Sequence, residues 1–132
     1  MKISRQEDYA LILLSVLAKS RDKSYVPLAQ VSRDLRLPGP FLKKIAQALK
    51  TSGLIAVKEG RNGGYRLAKK PVQITIEEII QPFNPGPTLV HCVSGRNLCD
   101  KYASCKSRAS WQFIGQKFHE NMKKITLAEI IK

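Results

Sequence analysis

Pro38-Gly39-Pro40 constrains this chain more than any other short stretch. Proline lacks the N–H a helix interior needs, and it drives the preceding residue out of the α region, so no helix runs through this point. On its N-terminal side, after Pro27, Leu28, Val31 and Leu35 share one helical face; on its C-terminal side Phe41, Leu42, Ile45, Ala48 and Leu49 form a second apolar stripe. Pro40 suits the first turn of that second helix. The pattern therefore predicts two short helices joined by a tight turn. The outer face of the second carries Lys43, Lys44, Gln47 and Lys50, and such a face is either merely solvated or a recognition surface.

The neighbouring hairpin pattern favours recognition. Leu54-Ile55-Ala56-Val57 is β-rich, Gly60-Arg61-Asn62-Gly63-Gly64 is turn-forming and contains an Asn-Gly pair, and Tyr65-Arg66-Leu67 resumes the strand. Lys58, Arg61, Arg66, Lys69 and Lys70 crowd the tip and flanks of this hairpin. Helix, turn, helix and a basic hairpin make a winged helix-turn-helix: a mainly α fold with a small β wing. Its helix face suits a major groove, and its wing suits phosphates or a neighbouring minor groove.

The rest of the chain frames this unit. Ser4-Arg5-Gln6-Glu7 has capping-box form and opens a helix to about Lys19, with Tyr9, Leu13, Val16 and Leu17 at helical spacing; Thr75-Ile76-Glu77-Glu78 opens a short one through Ile80. Pro82 to Pro87 breaks regularity. Trp111, Ile114, Phe118, Met122 and Ile125 then mark a long helix, about 20 residues and roughly 30 Å. That stripe is large for a domain already holding a core. It predicts a homodimer packed through this helix, the alternative being packing on the first helix. Thr126 to Glu129 caps a final short helix. The expected organisation is a DNA-binding domain over 1–82, a cysteine-bearing loop over 83–105, and a dimerisation helix with a short terminal helix over 106–132.

Charge points the same way. Twenty-three Lys and Arg stand against 10 Asp and Glu, a net charge of +13, which favours polyanions and salt-sensitive association. No apolar run reaches a membrane span and no signal-peptide pattern opens the chain, so the expected location is the cytoplasm, with no membrane partner and with thiols kept reduced. Cys-x-x-Cys, a catalytic acidic pair and a Gly-rich phosphate loop after a strand are all missing, which argues against an enzyme.

All three cysteines, Cys92, Cys99 and Cys105, fall within "HCVSGRNLCDKYASC". An odd number cannot pair fully, so a metal or metal–sulfur site borrowing a ligand from elsewhere is one reading. His91 beside Cys92 makes a zinc site conceivable, although structural zinc favours closely spaced cysteine pairs. Free thiols serving as an oxidation sensor remain open. His119 reads as a surface or interface residue.

The opening "MKISRQEDYALILLSVLA", the helix pair "VPLAQVSRDLRLPGPFLKKIAQALKTSGLI", the wing "GRNGGYRLAKKP", "ITIEEII" and the spaced cysteines together resemble the Rrf-two family of bacterial winged-helix repressors. That family includes IscR- and NsrR-type iron–sulfur sensors and the cysteine-metabolism regulator CymR. The resemblance covers essentially the whole chain. It implies a homodimer on a palindromic double-stranded DNA operator. Lys43 and Lys44 would meet base edges with Gln47 as a third contact, Arg61 and Arg66 would serve the wing, and Ser4 and Arg5 would touch backbone phosphates. In cluster-sensing members three cysteines of this loop hold the cluster (2Fe–2S or 4Fe–4S) with one further ligand. In the cluster-assembly branch that ligand is a histidine three residues past the last cysteine, where this chain has Arg108. In the nitric-oxide branch it is an acid of the partner's first helix, matched here by Asp8, with Glu7 a lesser candidate. The gap of six residues between Cys92 and Cys99 exceeds the family's usual five, and Glu59 replaces a commonly basic residue before the wing glycine. The signal implied is nitric oxide, redox state or iron–sulfur status; a cluster-free regulator of the same fold, answering a small molecule, a protein or cysteine oxidation, is the alternative.

Overall fold

Ser4 caps the first helix, α1 (Arg5–Lys19), through a closed capping box. Its N–H donates to Glu7 Oε2 at 2.8 Å, its hydroxyl bonds the same carboxylate, and Gln6 N–H donates to Ser4 Oγ at 3.3 Å. Orphan donors of the first turn are satisfied locally, which lets Glu7 sit only 4% exposed beside the apolar face of Ala10, Leu13, Leu14 and Leu17. The computed structural model describes residues 2–20, 24–85, 89–90 and 99–131.

Helices α2 (Leu28–Leu35) and α3 (Gly39–Thr51) flank the proline turn. Arg36 takes a left-handed conformation there, φ +53°, unfavourable for a side chain with a Cβ. A clasp holds it: Leu37 N–H donates to Ser32 O at 2.9 Å, and Ser32 Oγ donates to Leu37 O at 2.6 Å. Val31 of α2 and Leu42, Ile45, Ala46 and Leu49 of α3 turn into the core, leaving the lysine face outward.

Strands β1 (Ile55–Lys58) and β2 (Gly64–Leu67) form the hairpin, antiparallel, in register from Ile55 opposite Leu67 to Lys58 opposite Gly64. The two wing glycines are steric requirements. A Cβ on Gly63 would lie 2.1 Å from the Lys58 carbonyl oxygen, and one on Gly64 would lie 2.5 Å from the Val26 backbone. That second approach admits a third partner to the wing. Val26 and Tyr65 exchange N–H···O bonds of 2.8 Å each way, so the wing's root is tied to the segment leading into α2.

After a 3-10 turn over Pro71–Gln73, Thr75 caps α4 (Ile76–Ile80), and further on α5 (Arg108–Lys124) packs against α4. The 17 residues of α5 give a rod of about 26 Å, shorter than the stripe suggests because Ile125 leaves the helix. The chain turns extended there: Ile76 N–H donates to Ile125 O at 3.0 Å, and Leu127 N–H donates to Ile74 O at 2.8 Å. The last helix, α6 (Leu127–Ile130), is thereby sewn onto the DNA-binding unit. Leu127 is fully buried in the same cluster as Leu13, Leu49, Leu54, Ile74 and Ile79, a burial worth roughly 2 kcal/mol.

Candidate nucleic-acid interface and cysteine site

The fold sets Lys43, Lys44, Gln47 and Lys50 on one exposed face of α3, opposite its buried stripe. At the wing tip Arg61 is exposed as well. Arg5 at the start of α1 is a further exposed cation, and exposed cations of this kind suit a polyanion. Ser4 stands at the same helix end with its hydroxyl committed to the capping box.

Arg66 lies differently. Its guanidinium carbon sits 4.9 Å from the centre of the Tyr25 ring, with Lys58 Nζ 5.8 Å from the same ring. Arg66 is half-buried, and its Nε is buried with no acceptor among the described residues. Tyr25 is absent from the expectations drawn from sequence; nothing in its spacing announces that both wing strands will bring a cation to it.

At the cysteine site, Cys92 and His91 lie outside the described residues. Cys99 is exposed and Cys105 half-buried, on either side of a 3-10 turn over Tyr102–Ser104. Cys105 precedes the N-terminus of α5. Its sulfur lies 3.3 Å from Ser107 Oγ. Hydrogen bonds from the Ser107 hydroxyl and backbone N–H, then from Arg108 N–H, with the Arg108 charge behind them, hold this thiol below its ordinary range against a smaller opposing effect of desolvation. Such surroundings favour the thiolate that metals and oxidants both require. Arg108 is itself engaged: its Nη1 donates to Tyr102 O at 3.0 Å and its guanidinium carbon lies 4.4 Å from the Tyr102 ring centre.

The two acids of the α1 first turn separate clearly. Glu7 is consumed by the cap, whereas Asp8 is exposed and, among the described residues, makes no side-chain hydrogen bond or ion pair. No group of three or more potential metal ligands converges among the described residues of this single chain.

Along α5, Trp111 (40% exposed), Ile114 (45%) and Phe118 (37%) stay open, as does Ile125 at its C-cap, while Met122 (5%) turns inward. Phe113, 60% exposed, joins this apolar surface although it falls off the three-and-four spacing that defines the stripe. His119 Nδ1 lies 3.6 Å from Glu77 Oε1 of α4. Among the described residues no helix is long and apolar enough to cross a membrane.

A helix-turn-helix with a basic wing and an exposed cationic recognition face defines a DNA-binding transcription regulator, not an enzyme. The chain belongs to the Rrf2 family, whose model, "Iron-dependent Transcriptional regulator", matches residues 3–132. A protein of Aquifex aeolicus (strain VF5), whose name proposes an HTH-type transcriptional regulator, is 30% identical over 125 residues, 93% of this chain and 86% of its own length. IscR of Vibrio atlanticus (strain LGP32) is 27% identical over 132 residues, all of this chain and 76% of its own. In fold, the solved structure of CymR, the global cysteine regulator of B. subtilis, matches with TM-score 0.78 at 24% identity, over 99% of this chain and 96% of that one.

Proposed function

We propose that this regulator binds a palindromic operator as a homodimer and is controlled by an iron–sulfur cluster. Cys92, Cys99 and Cys105 would hold the cluster, with Asp8 supplied by a second copy of the chain. The observation carrying this reading is Cys105, which sits just before the N-terminus of α5 with its sulfur 3.3 Å from Ser107 Oγ, surroundings that favour the thiolate form in which iron takes cysteine. Asp8 supports it as the acid of its turn that the fold leaves uncommitted. When bound, a cluster with one non-cysteine ligand supplies an iron open to attack or loss, which suits sensing nitric oxide, redox state or iron–sulfur status. The protein's own part is mechanical. An acid on α1 of one copy, held at the loop of the other, fixes the relative setting of two recognition helices, because α1 packs directly against α3.

Purification without oxygen tests this, followed by iron and sulfide assay and a visible spectrum. The expected outcome is a coloured protein that loses its iron in Cys99→Ala, and in Asp8→Ala yields iron to a chelator faster than the parent does, with Glu7→Gln closer to the parent. A colourless chain, even after reconstitution with iron and sulfide, would overturn the reading. A second reading then stands, carried by the exposed Cys99, which a 3-10 turn separates from Cys105: a cluster-free regulator switched by thiol oxidation, a reading in keeping with the cysteine regulator CymR among the fold's neighbours.

A further inference from the structure

An open cleft of about 280 Å³ lies between the C-terminal end of α1, the foot of β2 and the 3-10 turn beyond it. Leu17 and Leu67 give it apolar lining, Ser20 contributes a hydroxyl, and Arg66, Lys69 and Lys70 bring three cations to one small space. Among the described residues one of the three is neutralised: Lys69 Nζ sits 2.7 Å from Glu78 Oε1. Arg66 and Lys70 have no carboxylate partner among the described residues.

Arg66 makes the cleft specific. Tyr25 fixes its guanidinium from one side, and its Nε is the buried side-chain atom without a hydrogen-bond partner among the described residues. Buried donors are almost always satisfied, so this Nε beside the cleft is a donor that an anionic oxygen or a water can meet. A planar, immobilised guanidinium suits the paired oxygens of a carboxylate or phosphate, and the ammonium of Lys70 adds a point charge.

We propose that this cleft binds a small organic anion, its carboxylate or phosphate oxygens against Arg66 and Lys70 and its apolar body along Leu17 and Leu67. None of the residues lining the cleft belongs to α2 or α3, so an occupant leaves the helix-turn-helix uncovered. It bridges α1 to the wing instead, and a ligand that prefers one posture of the wing shifts DNA affinity by that preference. The inference stands independently of any cluster.

The test is an amide-shift titration of the isotope-labelled full chain with inorganic phosphate, at ionic strength held constant with chloride. Expected are saturable shifts confined to 17–20 and 66–71, weakened about tenfold or more by Arg66→Gln, less by Lys70→Gln, and unaffected by Lys50→Gln on α3. Should Arg66→Gln fail to fold, Lys70→Gln at the exposed rim carries the comparison. A drift that never saturates, or shifts spread along α3, overturns the proposal. So does a titration in which a DNA duplex moves these amides and phosphate does not, since the anionic oxygens are then those of the DNA backbone.

Discussion

Lys43 stands one residue into the exposed face of α3, and its ammonium has two distinct uses on a duplex. Aimed at guanine acceptors it discriminates between base pairs; resting on a phosphate it only adds charge. The two leave different traces. If Lys43 reads a base, Lys43→Ala costs about 1–3 kcal/mol against one base pair and little against others. A phosphate lysine, once removed, lowers affinity uniformly and flattens the salt slope by about one. We expect the uneven pattern for Lys43, measured by equilibrium binding to a set of single-substitution operators at several salt concentrations; uniform loss would reassign it to the backbone. Residues of this kind are legible in sequence because helical spacing alone decides which side chains oppose the buried stripe. Asp8 and Glu7 share a first turn, but the capping-box spacing from Ser4 already marks Glu7 as the capping acid, and the observed cap bears this out. The stacking of Arg66 on Tyr25 is beyond reach altogether. It depends on Val26 pairing with Tyr65, a contact between distant segments that no local pattern encodes.

Helix α4 is too short to persist by itself, and Glu78 is where its cap and its tertiary anchor meet. The carboxylate accepts from Thr75 N–H at 3.0 Å while pairing with Lys69 at 2.7 Å. Desolvation alone would raise its pKa, but Lys69 and Thr75 together outweigh that and hold the group below the ordinary carboxylate value. A folded-state value below the unfolded one means stability present above the unfolded pKa and lost as pH falls through the folded pKa. Glu78→Gln keeps an amide oxygen for the Thr75 cap and loses the charge, so it should cost about 0.5 kcal/mol near neutrality, the half-open ion pair being screened. The deficit should close as the parent's carboxyl protonates in acid. Denaturant unfolding of both proteins across that range checks it; a deficit independent of pH would mean that the carboxylate charge is not the cause. At this scale the sequence is a good guide where an element is locally determined. The three Ser or Thr caps and the double glycine of the wing are each read correctly because their physics spans a few residues. The end of α5 is not local: Ile125 leaves the helix to bond Ile76, so periodicity overruns it.

Among the described residues α1 and α6 enter the same core, through Leu13 and Leu127. Helix α5 packs on α4, fixed inward by Met122 and presenting Trp111, Phe113, Ile114 and Phe118 outward. An open surface this rich in large aromatic and aliphatic groups is unusual on a monomer. A second copy of the same helix would be the partner on the palindromic operator we propose, because paired half-sites mirror a twofold protein. Phe118→Glu tests this at the right scale. The side chain is more than a third exposed in the single chain, so folding of the protomer should change by no more than about 0.5 kcal/mol. Placed in a self-complementary seam, however, the substitution sets two carboxylates against apolar surface at once. We expect sedimentation to show a monomer whose melting is close to the parent's. Its operator affinity should fall by about a hundredfold or more, since one reading head no longer raises the local concentration of the other. A Phe118→Glu protein that remains dimeric and binds its operator undiminished would move the seam off α5, and with it any site that needs Asp8 from a second copy.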